Sequence, residues 1–190
     1  MPESQSEPDL NQVFNLSRAS VMVVDDDPFS LQLTAQVMLA FGVKSRFQCR
    51  SVAEAEEILS TDPVDLLIVD AEMPEQDGYS FVRQIRASGV DPNAFVPVIM
   101  LSSHTRRSRV LAARDCGANF IIAKPISPVM MLERILWIAR QPRQFLQSDT
   151  YAGPDRRFKP SEPRDGDERR ADMRARAALA TSRAARQEAN

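Results

Sequence analysis

The sequence predicts a doubly wound α/β fold, with five parallel strands and helices on both faces of the sheet. Two observations predict it. Five short apolar runs alternate with stretches of helical period. The runs that read as central strands are each followed at once by polar residues, which a parallel sheet would gather along one edge.

The elements follow in order. Val21–Val24 is nearly continuous apolar sequence, as a strand buried on both faces should be. Asp27 and Pro28 then give an N-cap and a proline at the first helical position. Leu33, Val37 and Phe41 mark one face of that helix, and Gly42 ends it. The second run, Lys44–Cys49, alternates more and fits an edge strand. Ser51 and Glu54 have the spacing of a capping box for a helix through Leu59. Val64–Val69 is the third strand. Asp77 opens the third helix, with Phe81 and Ile85 on its inner face. Val96–Leu101 is the fourth strand, and Val110 and Ala113 mark the fourth helix. Asn119–Ala123 is the fifth strand, and Ile126–Ala139 the fifth helix.

Composition narrows the function. The chain has 190 residues, 43% hydrophobic and 26% charged, with a net charge of −2, so no global basic field favours nucleic acid. The six glycines form neither GxGxxG nor GxxxxGK, which excludes the common nucleotide loops. Two cysteines, Cys49 and Cys116, make no disulfide framework and read as small buried hydrophobes. One histidine, His104, argues against a histidine-rich metal site and reads as a solvated loop residue. No apolar run approaches the ~20 residues of a membrane span. The polar, acidic amino terminus lacks the features of a secretion signal, so a cytoplasmic protein is expected.

Three zones are expected: a flexible segment over 1–18, a folded unit over 19–141, and a basic extension over 142–190, partly disordered or helical. Residues 1–140 carry 13 basic and 18 acidic side chains, and residues 141–190 carry 11 and 8. The extension lacks the apolar skeleton of a helix-turn-helix, so DNA binding is not expected.

The chemistry is expected at the strand ends. These supply Asp25, Asp26 and Asp27, then Asp70, then Ser102 and Ser103, then Lys124 and Pro125. Asp25, Asp26 and Asp70 together would crowd like charges, which calls for a cation. All-oxygen ligands suit Mg²⁺, which takes one or two carboxylates and phosphate oxygens. A carboxylate can attack phosphorus to form an aspartyl phosphate. Lys124 supplies a point charge for phosphoryl oxygens. Ser102 supplies a hydrogen bond once the phosphoryl group is present. Asp27 reads as an N-cap rather than a ligand.

The stretches VMVVDDDP (21–28), DLLIVDAEMPEQDGYSF (65–81), PVIMLSS (97–103) and ANFIIAKPIS (119–127) resemble the receiver domain of two-component response regulators. Their order and spacing match over about two-thirds of the chain. The resemblance implies a flavodoxin-like fold, with Asp70 as phosphoacceptor and Asp25 and Asp26 as the acid pair around Mg²⁺. It implies a metal contact from the Glu72 backbone carbonyl, Ser102 as switch hydroxyl and Lys124 as the phosphate contact. Phe120 is expected as the switch aromatic, where the family more often has tyrosine. The Lys124–Pro125 bond is often cis in the family. A histidine kinase or phosphotransfer protein would be the donor, and output would be by protein contact without a DNA-binding domain and without enzymatic activity. Glu72 and His104 flank the acceptor and the switch serine, where the family tunes phosphoryl lifetime.

Three further features call for partners. Arg106, Arg107 and Arg109 oppose the dipole at the start of the fourth helix. The fifth helix carries Val129, Met130, Met131, Leu132, Ile135, Leu136, Trp137 and Ile138, more apolar surface than one buried stripe needs. That excess suggests a dimer or target surface on the fourth helix, fifth strand and fifth helix, or a cover from the tail. The tail holds YAGPDRR (151–157) and further arginines, whose forks suit phosphate. Two rival readings follow: a nucleotide or nucleic-acid sensor acting through that tail, and an aspartate-nucleophile phosphatase using Asp25 and Asp27. Against the phosphatase, Pro28–Phe29 stands where a hydroxyl residue is needed.

Overall fold

The structure, a computed structural model, describes residues 16–89, 92–104, 106–140, 143–148 and 151–155. Five α/β units come first: β1 (Ser20–Val24), α1 (Pro28–Ala40), β2 (Ser45–Cys49), α2 (Val52–Thr61), β3 (Leu66–Asp70), α3 (Gly78–Ser88), β4 (Val98–Ser102), α4 (Arg107–Asp115), β5 (Phe120–Ala123) and α5 (Pro128–Arg140). A short 3-10 turn, Asn93–Phe95, leads into β4. The sheet runs in the order β2-β1-β3-β4-β5, all parallel, so the alternating second run is an edge strand as expected. The fold is the doubly wound sheet that the alternation of elements predicts, in the flavodoxin-like strand order that the resemblance implies.

Strand alternation divides the core in two. Met22, Val24, Leu67, Val69, Val98 and Met100 face α2, α3 and α4. Val21, Val23, Leu66, Ile68, Ile99 and Leu101 face α1 and α5. Each central strand is buried along its whole length.

The caps form as their sequences dictate. Asp27 accepts a hydrogen bond from the Ser30 amide at 2.7 Å, Ser51 from Glu54 at 3.2 Å, and Asp77 from Ser80 at 2.7 Å. The Glu54 carboxylate accepts in turn from the Arg50 amide at 2.7 Å, one residue earlier than in an ideal box. Gly42 takes the left-handed φ of +86° that ends α1. Two helix faces differ from expectation. Leu33 lies outside the inner stripe of α1, which is Leu31, Thr34, Ala35 and Met38 with Val37 beside it. Two residues turn a helix through roughly 200°, so Leu33 points away from Leu31. On α4 only Ala113 is buried, and Val110 is exposed.

The fold is wider than the unit expected over 19–141. Leu16 already packs on the α1–α5 core. Beyond α5 the chain forms an antiparallel ribbon of β6 (Phe145–Ser148) and β7 (Tyr151–Pro154), where a partly disordered or helical extension is expected. The signal for it is short: Gly153 and Pro154 sit in a stretch without helical period. Residues 1–15 and 156–190, with Arg156, Arg157 and the remaining tail arginines, lie outside the described residues.

Arg86 joins the ribbon to the core. It is 2% exposed, and its guanidinium donates to the carbonyls of Gly117 (3.2 Å), Ala94 (2.7 Å) and Val96 (2.6 Å). Burial pulls its pKa down to about 10, which leaves it charged at neutral pH. Phe145 lies over the same guanidinium at 5.2 Å and meets Phe95 edge-on at 4.7 Å. Cys49 and Cys116 are buried, and burial pushes each thiol up to about 11, so both act as packing groups.

Candidate functional site

The strand order reverses direction between β1 and β3, and a doubly wound sheet opens a crevice beyond the carboxyl ends at such a point. Asp25 follows β1, Asp70 ends β3, Ser102 ends β4, and Lys124 follows β5. Gly78 lets α3 begin close beneath Asp70, where a Cβ would overlap the Asp70 carbonyl.

Lys124 Nζ stands 2.8 Å from Asp25 Oδ2 and 2.8 Å from Asp70 Oδ1. Asp25 is 0% exposed and Asp70 4%. Burial raises the Asp70 pKa; the Lys124 hydrogen bond and charge lower it; the Asp25 charge adds to the rise, and the net direction is up. Burial would lower the Lys124 pKa, but hydrogen bonds and charge from both aspartates outweigh it and hold the ammonium above its usual range. The lysine is thus the resident counter-ion of two buried carboxylates.

One oxygen from each of Asp25, Asp26 and Asp70 falls within 4.8 Å of the others. Hard carboxylate oxygens gathered this closely, with solvent reaching half-buried Asp26, fit Mg²⁺. The Glu72 amide donates to Asp70 Oδ2 at 3.1 Å, which brings the Glu72 backbone beside the acceptor.

Ser30 is a member of the site that the sequence reasoning missed. Its hydroxyl donates to Asp25 Oδ2 at 2.6 Å, while the Asp27 amide donates to Oδ1 at 3.1 Å. The Asp27 cap holds the Ser30 amide, and Thr34 Oγ1 donates to the Ser30 carbonyl at 2.9 Å. A serine three residues past an N-cap is the only signal the sequence carries for it. A partner that orients a ligand from behind typically tunes metal affinity by 10–100-fold. Ser30→Ala is therefore expected to weaken Mg²⁺ binding roughly tenfold, measured by calorimetry on the unphosphorylated protein, and Ser30→Thr to keep most of it.

The loops beside the acceptor are tied together. Ser102 Oγ donates to the His104 carbonyl at 2.9 Å and accepts from the His104 amide at 3.0 Å. His104 Nδ1 lies 3.0 Å from Glu72 Oε2, and Arg109 lies 3.4 Å from Glu72 Oε1. His104 is exposed, as expected, but it has a partner. Of the arginines that open α4, Arg109 finds its partner in Glu72 and also lies over Tyr79 at 5.8 Å. The Lys124–Pro125 bond is cis.

Phe120 is not brought to Ser102. It packs on the α1–α5 face of the sheet, edge-on to Trp137 at 5.1 Å, with Arg134 over its ring at 5.1 Å. The reason is the two-residue period of β5. Ile121, one residue on, pairs with Met100 and packs on the α4 face. Alternation along β4 puts Ser102 on that same face with Val98 and Met100.

Comparison with known proteins agrees with this geometry. The family model described as response regulator receiver domain matches residues 21–136. The transcriptional regulatory protein GltR of Pseudomonas aeruginosa is 31% identical over 131 residues, covering 67% of this chain and 51% of that protein. Response regulator MprA of Mycobacterium avium is 29% identical over 121 residues, covering 64% of this chain and 51% of that one. The chain spans about half the length of these curated relatives. The crystal structure of a putative response regulator from Chloroflexus aurantiacus superposes with a TM-score of 0.60 at 26% identity, over 65% of this chain and 98% of that one. The chain carries a receiver domain and belongs to the response regulators of two-component signalling.

Proposed function

We propose that Asp70 accepts a phosphoryl group from the phosphohistidine of a kinase or phosphotransfer protein. A carboxylate oxygen of Asp70 bonds to phosphorus, the P–N bond breaks, and the donor imidazole keeps the electron pair. Lys124 moves its charge from the two aspartates onto the phosphoryl oxygens. Asp25, Asp26, Asp70 and the Glu72 carbonyl would hold Mg²⁺, which would supply positive charge to the same oxygens. Ser102 leaves its bonds to His104 and donates to the phosphoryl group. Phe120 serves in this reading as the contact between β5 and α5. The chain catalyses its own modification and no further reaction.

The observation that carries this reading is Lys124 bridging Asp25 and Asp70 at 2.8 Å each, inside a cluster of three carboxylates. A donor docking over the crevice would meet exposed apolar side chains. Phe29, just after the aspartates, is 76% exposed, and Val129, just after the Lys124 loop, is 69% exposed. Output by contact, to a target or a second copy, is assigned to the α4–β5–α5 face, where Val110, Leu111 and Met130 are exposed. Among the described residues no helix is long and apolar enough to cross a membrane.

Beryllofluoride, a phosphoryl analogue, tests the site. It is expected to bind the wild type only with Mg²⁺ present and not to bind Asp70→Asn. Binding that survives without Mg²⁺, or in Asp70→Asn, counts against the assignment.

A further inference from the structure

The β6–β7 ribbon takes no part in the phosphoacceptor site. The 3-10 turn and the α4–β5 turn that it touches precede β4 and β5, so it sits at the amino-terminal end of the sheet, opposite the aspartates. Its attachments reach the α4–β5 turn, β5 and α5, which belong to the proposed output face. Arg86, under Phe145, grips the carbonyl of Gly117 in the α4–β5 turn. At Gly117 (φ +93°) a Cβ would lie 2.5 Å from the Ala152 carbonyl oxygen, and at Gly153 one would lie 2.6 Å from Gly117 Cα. Arg143, leading into the ribbon, lies 4.5 Å over the Trp137 ring and 5.8 Å over Phe120, the first residue of β5.

A two-stranded ribbon is marginal by itself, so its order depends on these contacts. Where β7 meets the α4–β5 turn, Gly153 and Gly117 bring the two backbones together, with the Tyr151 hydroxyl and the Arg86 side chain packed against the same spot. Close-packed contacts of this kind fit one relative position and are lost on displacement. The position they fit is the one with Asp70 unmodified and Ser102 bonded to His104.

We infer that the ribbon is an intramolecular ligand of the resting receiver: docked while Asp70 is unmodified, and loosened when phosphorylation shifts the α4–β5 turn. The inference rests on the phosphorylation reading above. The basic segment 156–190 follows the ribbon directly in sequence, so loosening passes the state of Asp70 to its tether. Linkage makes the effect reciprocal: whatever factor the phosphoryl group takes from docking, undocking returns to phosphoryl-state affinity.

Hydrogen exchange on the full chain tests this, with Mg²⁺ alone and with Mg²⁺ plus beryllofluoride. Peptides covering Phe145 and Ala152–Gly153 are expected to exchange about fivefold faster or more with the analogue. Gly153→Val, which cannot dock, is expected to bind beryllofluoride tighter by the same factor. Phe145→Ala repeats the test with the ribbon backbone intact, should the valine variant fail to fold. If the analogue binds and protects the Asp70 and Ser102 loops while ribbon exchange and variant affinities stay unchanged, the inference is overturned and the phosphorylation reading stands. If the analogue does not bind wild type at all, both fall.

Discussion

Arg86→Met is expected to lower the melting temperature by roughly 10 °C. Arg86 is a cation buried among carbonyls, and among the described residues no carboxylate is hydrogen-bonded to it. Its removal strands the oxygens of Ala94, Val96 and Gly117, and each buried unsatisfied acceptor costs about 1–3 kcal/mol. Methionine fills the aliphatic volume but bonds none of the three. It also removes the charge beneath Phe145. Partial relaxation keeps the sum to about 4 kcal/mol. Arg86→Lys is expected to recover less than half, because one ammonium cannot reach three carbonyls in the fork's plane. Thermal melts of the three proteins check the order. A variant within about 1 kcal/mol of wild type would show that the ribbon end of the fold is held by something else.

Lys124→Ala is expected to cost about 3 kcal/mol in metal-free buffer, because it leaves Asp25 and Asp70 buried without their counter-ion. The same variant should gain more stability from Mg²⁺ than the wild type does. In the wild type the cation must compete with an ammonium already seated between the two carboxylates, and in the variant it does not. Melts in EDTA and in saturating Mg²⁺ separate the two effects. Equal Mg²⁺ stabilisation of both proteins would mean that lysine and metal do not share the aspartates.

The fold and most of the site are legible in the sequence because their signals are local and repeated. Burial on both faces of the sheet is written as apolar runs such as Leu66–Val69, and the caps at Asp27, Ser51 and Asp77 are written in three-residue spacings. The aspartates and Lys124 come together because each lies at the end of a parallel strand, and parallel strands end on one edge. What was not legible depends on register and distance. Phe120 differs from Ile121 by one residue, which in a strand is the difference between two faces. Ser30 reaches Asp25 across the turn between β1 and α1, with its amide held by the Asp27 cap and its hydroxyl on the carboxylate. The ribbon is short, irregular in composition and ordered by Arg86, which is 59 residues from Phe145 in sequence. Periodicity within a window of sequence carries no record of such a contact.

In this mechanism everything turns on Asp70 as the phosphoacceptor. Intact mass, recorded after incubation with Mg²⁺ and acetyl phosphate, tests it most directly, with wild type beside Asp70→Asn. A single phosphate adduct on the wild type, absent without Mg²⁺ and absent from Asp70→Asn, is the predicted result. The same adduct on Asp70→Asn would place the modification elsewhere, and no adduct on either protein, together with no Mg²⁺-dependent beryllofluoride binding, would contradict the claim outright.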